Sequence, residues 1–399
     1  MWFAALLLFW LQANGPLEQA WRLAAGGDRR GAEAVLQKLL AADSINTDAR
    51  LLYGNLLAED GKKEEAIVEL KTAVAQRPQS AEAWNSLGET YSRFEKKREA
   101  LDAFNKAVAA DPKFGVAQSN LAQSLYEAGQ KDAAKEHAKQ AVALLGRSKD
   151  TADAVYLVGK IELDSGDARS AANHFMKAVQ LRPEFASAWS DLGQARKLLL
   201  DEPGAITAFA EAAKLDPGDA VAQYRLGAEY LRQDKPADAL RPLEAAAGAN
   251  DDDQSTLNAL AMALQRLGRV EEAAQTRRKL AEVIRRRDLD SQNALSALRL
   301  NNEGAALEKS GNLPEALDLY KQAVAMNGKH AGLRVNYAVA LLRLGQWREG
   351  LEQMRQAQEL DPGNTQIETA LTDAISQAPA SELPEWARSV QPRQTRRPR

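Results

Sequence analysis

The side chains that most often carry chemistry are scarce. The 399-residue chain has no cysteine, which excludes disulfide frameworks, thiolate zinc sites and cysteine nucleophiles. It has three histidines, His137, His174 and His330. A zinc site needs several ligands close together, usually with a carboxylate among them. That spacing reads instead as ordinary surface histidines, and no metal ligand is assigned. No phosphate-binding glycine loop, dinucleotide fingerprint or nucleophile elbow occurs. We therefore expect no enzyme, no catalytic residue and no cofactor. Lys and Arg total 52 against 55 Asp and Glu, a net charge of −3, so no global field favours nucleic acid. The arginines near the C-terminus, Arg393, Arg396, Arg397 and Arg399, could touch nucleic acid or anionic lipid, but a short solvated tail is the simpler and preferred account, and no nucleic-acid partner is expected.

Composition then points to the elements behind this sparse chemistry. Hydrophobic residues make up 45% of the chain and aromatic residues only 6%, so the core must be built from small side chains. The segment 81–114 carries Trp84, Leu87, Gly88 and Tyr91, then Ala100, Phe104 and Ala107, then Pro112. The first four fall on one side of a helix and the next three on one side of a second helix, which the proline ends. In steps of about 34 residues the Gly88 position recurs as Ala20, Gly54, Ala122, Gly159, Gly193, Gly227, Ala261, Gly304 and Ala338. The Ala100 position is alanine in every copy except the last, where it is Gly350. Small residues are required where two antiparallel helices cross most closely, and larger ones fill the space on either side.

This pattern resembles the tetratricopeptide repeat (TPR) family. The expected fold is all-α, a superhelical solenoid of ten helix–turn–helix repeats. They span 13–46, 47–80, 81–114 and 115–148, then 152–185, 186–219, 220–253 and 254–287, then 297–330 and 331–364. The insertions 149–151 and 288–296 divide the stack four, four and two. Asn14 is the expected N-cap of the first repeat and Pro16 its helix start. A capping helix is expected over 365–377, with Ile367, Leu371, Ala374 and Ile375 on one face, and a disordered basic tail over 378–399. Residues Trp2–Leu11 are apolar, too short to span a membrane but suited to a secretory leader ending at Ala13. The rival reading is a hydrophobic helix capping the first repeat. Export would place the chain in the periplasm or outside, without stable membrane insertion after leader removal; otherwise it is cytoplasmic.

Charges interrupt the pattern in places. Glu162 and Arg196 occupy the Tyr91 position in consecutive repeats, where they either form a partly buried ion pair or splay into solvent. Arg277, the run Arg285–Arg287 and Glu303 mark 277–303 as the loosest point and a hinge candidate.

The resemblance implies that the first helix of each repeat lines a concave groove, with its second, fifth, sixth, ninth, twelfth and thirteenth residues pointing inward. On this basis the groove would offer Asn85, Glu89, Asn120, Gln123, Tyr126, Tyr156, Lys160, Gln194, Tyr224, Arg225, Arg232, Asn258, Arg266, Asn302 and Asn336. Acidic residues gather in the early repeats and basic ones in the late repeats. Either that asymmetry orients an extended peptide held by asparagine amides, or it is a solvated face. The family's clamp for acidic C-terminal peptides is not reproduced: its positions hold Asn85, Glu89, Asn120, Asp153 and Leu157. The expected function is a protein–protein scaffold for peptide segments or helices, in assembly of a cell-envelope or secretion complex. A cytosolic regulatory adaptor and an accessory subunit of a glycan-synthesis or export enzyme are the alternatives.

Overall fold

A computed structural model describes residues 15–388. The expected leader, Asn14 and residues 389–399 lie outside this range. Within it the chain is a succession of helices. They run α1 Pro16–Ala25, α2 Arg29–Ala42, α3 Thr47–Glu59, α4 Lys63–Gln76, α5 Ala81–Arg93, α6 Lys97–Ala110, α7 Gly115–Glu127 and α8 Lys131–Leu145. The series continues with α9 Thr151–Asp164, α10 Ala168–Leu181, α11 Ala186–Leu198, α12 Glu202–Leu215, α13 Ala220–Arg232, α14 Pro236–Ala249 and α15 Gln254–Arg266. It ends with α16 Val270–Lys309, α17 Leu313–Met326, α18 Ala331–Arg343, α19 Trp347–Leu360, α20 Thr365–Gln377 and α21 Glu385–Arg388. None of the described helices is long and apolar enough to cross a membrane.

Each repeat is an antiparallel pair whose crossing explains its glycine. A Cβ on Gly88 would lie 2.5 Å from Phe104, and one on Gly193 would lie 2.5 Å from Phe209. Gly159 meets Phe175 in the same way, at 2.8 Å. Where the crossing residue is Ala122, the partner helix offers the buried Ala138 instead of an aromatic ring. The two positions thus share one fixed volume. Burying an aromatic side chain such as Phe104 contributes about 2–3 kcal/mol. The residue four places into a repeat also ties down the preceding turn. Trp84 and Trp189 donate from Nε1 to the carbonyls of Pro78 and Pro183 at 2.8 Å, and Gln118 donates from Nε2 to Pro112 at 2.9 Å.

The chain forms two compact units, one up to Ala273 and one from Ala274. In the first unit the first helices of successive repeats also touch: α1 on α3, α3 on α5, α5 on α7, α7 on α9, α9 on α11 and α13 on α15. The insertion 149–151 does not interrupt it. Leu121 and Leu125 before it share one buried cluster with Leu157, Val158 and Ile161 after it. Pro16 is the first residue of α1, and Gly15 stands at its N-cap.

Three expectations are corrected. The segment 288–296 is not a break, because α16 runs through it as one 40-residue helix. Nothing between Val270 and Ala297 is proline or glycine, so no residue there stops a helix. The tail is not disordered from residue 378. Ala378, Leu383 and Ala387 are buried against Ile367, Leu371 and Ile375 of α20, and the Arg355 guanidinium lies 5.8 Å from the Trp386 ring centroid. Finally, Glu162 and Arg196 do not pair. Glu162 sits 2.7 Å from His174 Nδ1 and 3.2 Å from Lys135 Nζ. Arg196 donates to the Gly204 carbonyl at 3.1 Å and lies 3.7 Å from Asp201. Each residue turns toward second helices rather than toward the next first helix.

Candidate functional site

The first helices carry polar rungs that follow one register. The fifth residue of a repeat meets the sixth of the next, 35 positions later. Asn120 Nδ2 donates to Asn85 Oδ1 at 3.0 Å, and Asn336 Nδ2 donates to Asn301 Oδ1 at 2.8 Å. Tyr156 Oη donates to Asp191 Oδ2 at 2.8 Å, and Arg225 donates to Ser190 Oγ at 2.7 Å. The ninth residue joins some rungs: Glu89 Oε1 accepts from both Asn85 Nδ2 at 3.1 Å and Asn120 Nδ2 at 2.9 Å. Asn85 is 0% exposed. Amides expected to hold a partner's backbone therefore hold neighbouring repeats together.

The charged residues are matched in the same local manner. Lys197 and Arg232 converge on the buried Glu229, at 2.9 and 2.8 Å, and Arg232 also pairs with Glu202. Arg266 donates to the Leu231 carbonyl at 2.9 Å and meets Asp234 at 3.2 Å. In the early repeats Arg77 binds Asp48 at 2.6 Å and Arg29 binds Glu59 at 2.8 Å. Sequence charge at these positions is largely offset by a neighbouring helix rather than projected along the face.

One patch differs. Tyr126, Tyr156 and Lys160 are half-buried, and Lys160 Nζ lies 5.8 Å from both ring centroids, within cation–π range. Tyr126 Oη donates to Asp164 Oδ2 at 3.0 Å, and Lys131 Nζ reaches the same oxygen at 2.8 Å. Burial, then that hydrogen bond, pushes the Tyr126 phenol up to about 12. Burial and Asp191 push Tyr156 higher still. The Lys131 ammonium holds the Asp164 carboxyl below its ordinary range. The Phe185 ring packs on Tyr156 with its centroid 4.8 Å away.

The other sequence candidates are dispersed. Gln123 is exposed and donates to Glu127 at 2.8 Å; Gln194 and Tyr224 are half-buried; Asn258 is exposed beside Met262. Asn302, exposed, belongs with Asn336 to the second unit. The histidines are more engaged than expected. His137 Nδ1 lies 2.7 Å from Gln118 Oε1, burial lowering its pKa, while His330 caps α18 through Leu333 N at 3.4 Å. Sequence reasoning missed Asp164 and Asp191, because neither was weighed against a tyrosine one repeat away.

Comparison with known proteins agrees with this architecture. Four profiles described as tetratricopeptide repeat match the chain: one at 252–329, one at 23–89 and 307–374, one at 69–113 and 156–220, and one at 116–147. The TPR repeat-containing protein PA0015 of Pseudomonas aeruginosa is 36% identical over 66 residues, 16% of this chain; the match spans 63% of that relative's length. Among solved structures, PilF of Pseudomonas aeruginosa is 17% identical with a TM-score of 0.49, covering 53% of this chain and 95% of that one. A tetratricopeptide repeat protein from Parabacteroides merdae is 13% identical with a TM-score of 0.46, covering 62% and 97%. With matched repeats running from residue 23 to residue 374 and a crossing glycine or alanine in each described pair, the chain belongs to the tetratricopeptide repeat family.

Proposed function

We propose that this protein is a non-enzymatic interaction scaffold. It binds extended segments or helices of partner proteins on the first-helix face of its first unit and serves assembly of a cell-envelope or secretion complex. Tetratricopeptide repeats generally act as protein-interaction scaffolds. The observation that carries the reading is the Tyr126–Lys160–Tyr156 patch, where aromatic and cationic side chains remain half-open on a face whose other polar groups are mostly used internally. Tyrosine and basic side chains offer rigid amphipathic area and directed hydrogen bonds, a combination enriched at interface centres.

A photo-crosslinking residue placed at Gln123 or Gln194, and as a control at the exposed Lys139 of α8, tests the face. Protein adducts should form at the first two positions and not at the third. Equal labelling of all three would sink the proposed face. Export is part of the same reading, supported by the apolar run Trp2–Leu11. The N-terminus of the protein in an envelope fraction should be Asn14, and an intact Met1 there would refute export.

A further inference from the structure

We propose that Lys160 is the docking point for one carboxylate of the partner segment, so that this face selects an acidic residue. The inference rests on the scaffold reading above and adds the partner's chemistry to it. Its basis is a local imbalance. Around the patch, three cations (Lys131, Lys160 and Arg225) face two carboxylates (Asp164 and Asp191). Both carboxylates are committed. Asp164 accepts from Lys131 and Tyr126; Asp191 accepts from Tyr156 and lies 3.7 Å from Arg225. Both tyrosine hydroxyls are committed to the same two groups.

Lys160 has the two ring faces and a longer-range attraction to Asp164 but, among the described residues, no acceptor at hydrogen-bond or ion-pair distance. Most of its cationic counterparts on this face differ, the exposed Arg93 of α5 apart. Lys197, Arg225, Arg232 and Arg266 each have a carboxylate between 2.8 and 3.7 Å. An ammonium has three donors and no acceptor of its own, so a docked group must offer an acceptor, and an anion does so most strongly. The tyrosine walls exclude water from two sides and strengthen any pair formed there. One surplus positive charge flanked by two carboxylates suits a single carboxylate. A phosphate, with nearly two charges, would meet Asp164 and Asp191 unfavourably. At the equivalent position of the next repeat Gln194 is half-buried and makes no hydrogen bond among the described residues. Its amide can both donate to and accept from the backbone beyond the docked residue.

The experiment is a selection of random linear peptides on the full chain. Retained peptides should share one Asp or Glu. Changing that residue to Asn or Gln should weaken binding about tenfold or more, the loss of one charge-assisted hydrogen bond. Lys160→Met should abolish that difference, and Lys160→Glu should shift the selection toward Lys or Arg. Amidating the peptide's C-terminus separates sources: no effect assigns a side chain, and a tenfold loss assigns the terminal carboxylate. Retained peptides with no acidic preference, or an unchanged preference in Lys160→Met, would overturn the Lys160 assignment and leave the binding face intact. If the wild-type chain retains no peptide, the Lys160 assignment and the extended-segment reading both fall. Lys160→Met should keep the wild-type unfolding midpoint, so that lost selectivity is not lost fold.

Discussion

Two junctions on the same face obey one register and end differently. Between α5 and α7, Asn85, Glu89 and Asn120 satisfy one another, and Asn85 is closed off from solvent. Between α9 and α11, the equivalent positions hold Tyr156, Lys160 and Asp191, and the lysine is left over. Both sets read as polar, groove-lining side chains in the sequence. The contrast teaches that availability depends on whether donors and acceptors balance within the rung, not on residue type. A balanced rung is cohesion between repeats; an unbalanced one is surface that a partner can complete.

The contrast can be tested from its foundations upward. Gly88 and Gly159 support the two junctions with the same aromatic crossing. Gly88→Val and Gly159→Val should each destabilise by about 2–3 kcal/mol through overpacking, read from urea unfolding. Unequal losses would show that the junctions differ in packing and not only in polarity. Asn85→Ala should cost about 2 kcal/mol, because it leaves Glu89 and Asn120 short of a partner in a buried setting. A loss within experimental error would mean that the closed rung is not cohesive.

The open side has an alkaline signature. Tyr126 holds its proton more tightly in the fold than at its ordinary value of 10.0. The stability it contributes is therefore complete below about pH 10 and is lost as pH rises toward about 12. Tyr126→Phe should cost about 1 kcal/mol at neutral pH and lower the amplitude of the tyrosinate transition near 12, which Tyr337 shares, by one tyrosine in an absorbance titration. An unchanged amplitude would assign that share of the transition elsewhere. The smallest effect belongs to Lys160→Met, which should change stability by less than about 0.5 kcal/mol. A larger loss would mean that its ring contacts hold the fold, and the patch would then resemble the closed rung.

The fold was legible because each repeat states its crossing twice, once as Gly or Ala and once as the partner that fills the gap. Gly88 with Phe104 and Gly193 with Phe209 are examples. The continuous α16 was hidden by the 34-residue register itself, which demands a turn after residue 287. The signal that outweighed it was local: IRRRDLDSQNALS lacks any helix breaker. Likewise the basic ending drew attention from Leu383 and Trp386, which give residues 378–388 something to bury. The site was half legible. Its residues could be named from their places in the repeat, but their mutual use could not. That requires knowing which side chain 35 positions away completes each hydrogen bond.

The long helix limits how this protein can change length. At an ordinary junction a loop resets the helical phase, so losing or gaining a whole repeat rejoins matching surfaces. Within the second unit α16 carries the phase continuously past Val283 and Ala297, both buried. Removing 34 residues from an unbroken helix rotates its downstream part by about 160°. The side that faced the core would then face water. Duplication or deletion can act elsewhere in steps of one repeat, but across 274–309 it must proceed in whole helical turns, near 18 residues.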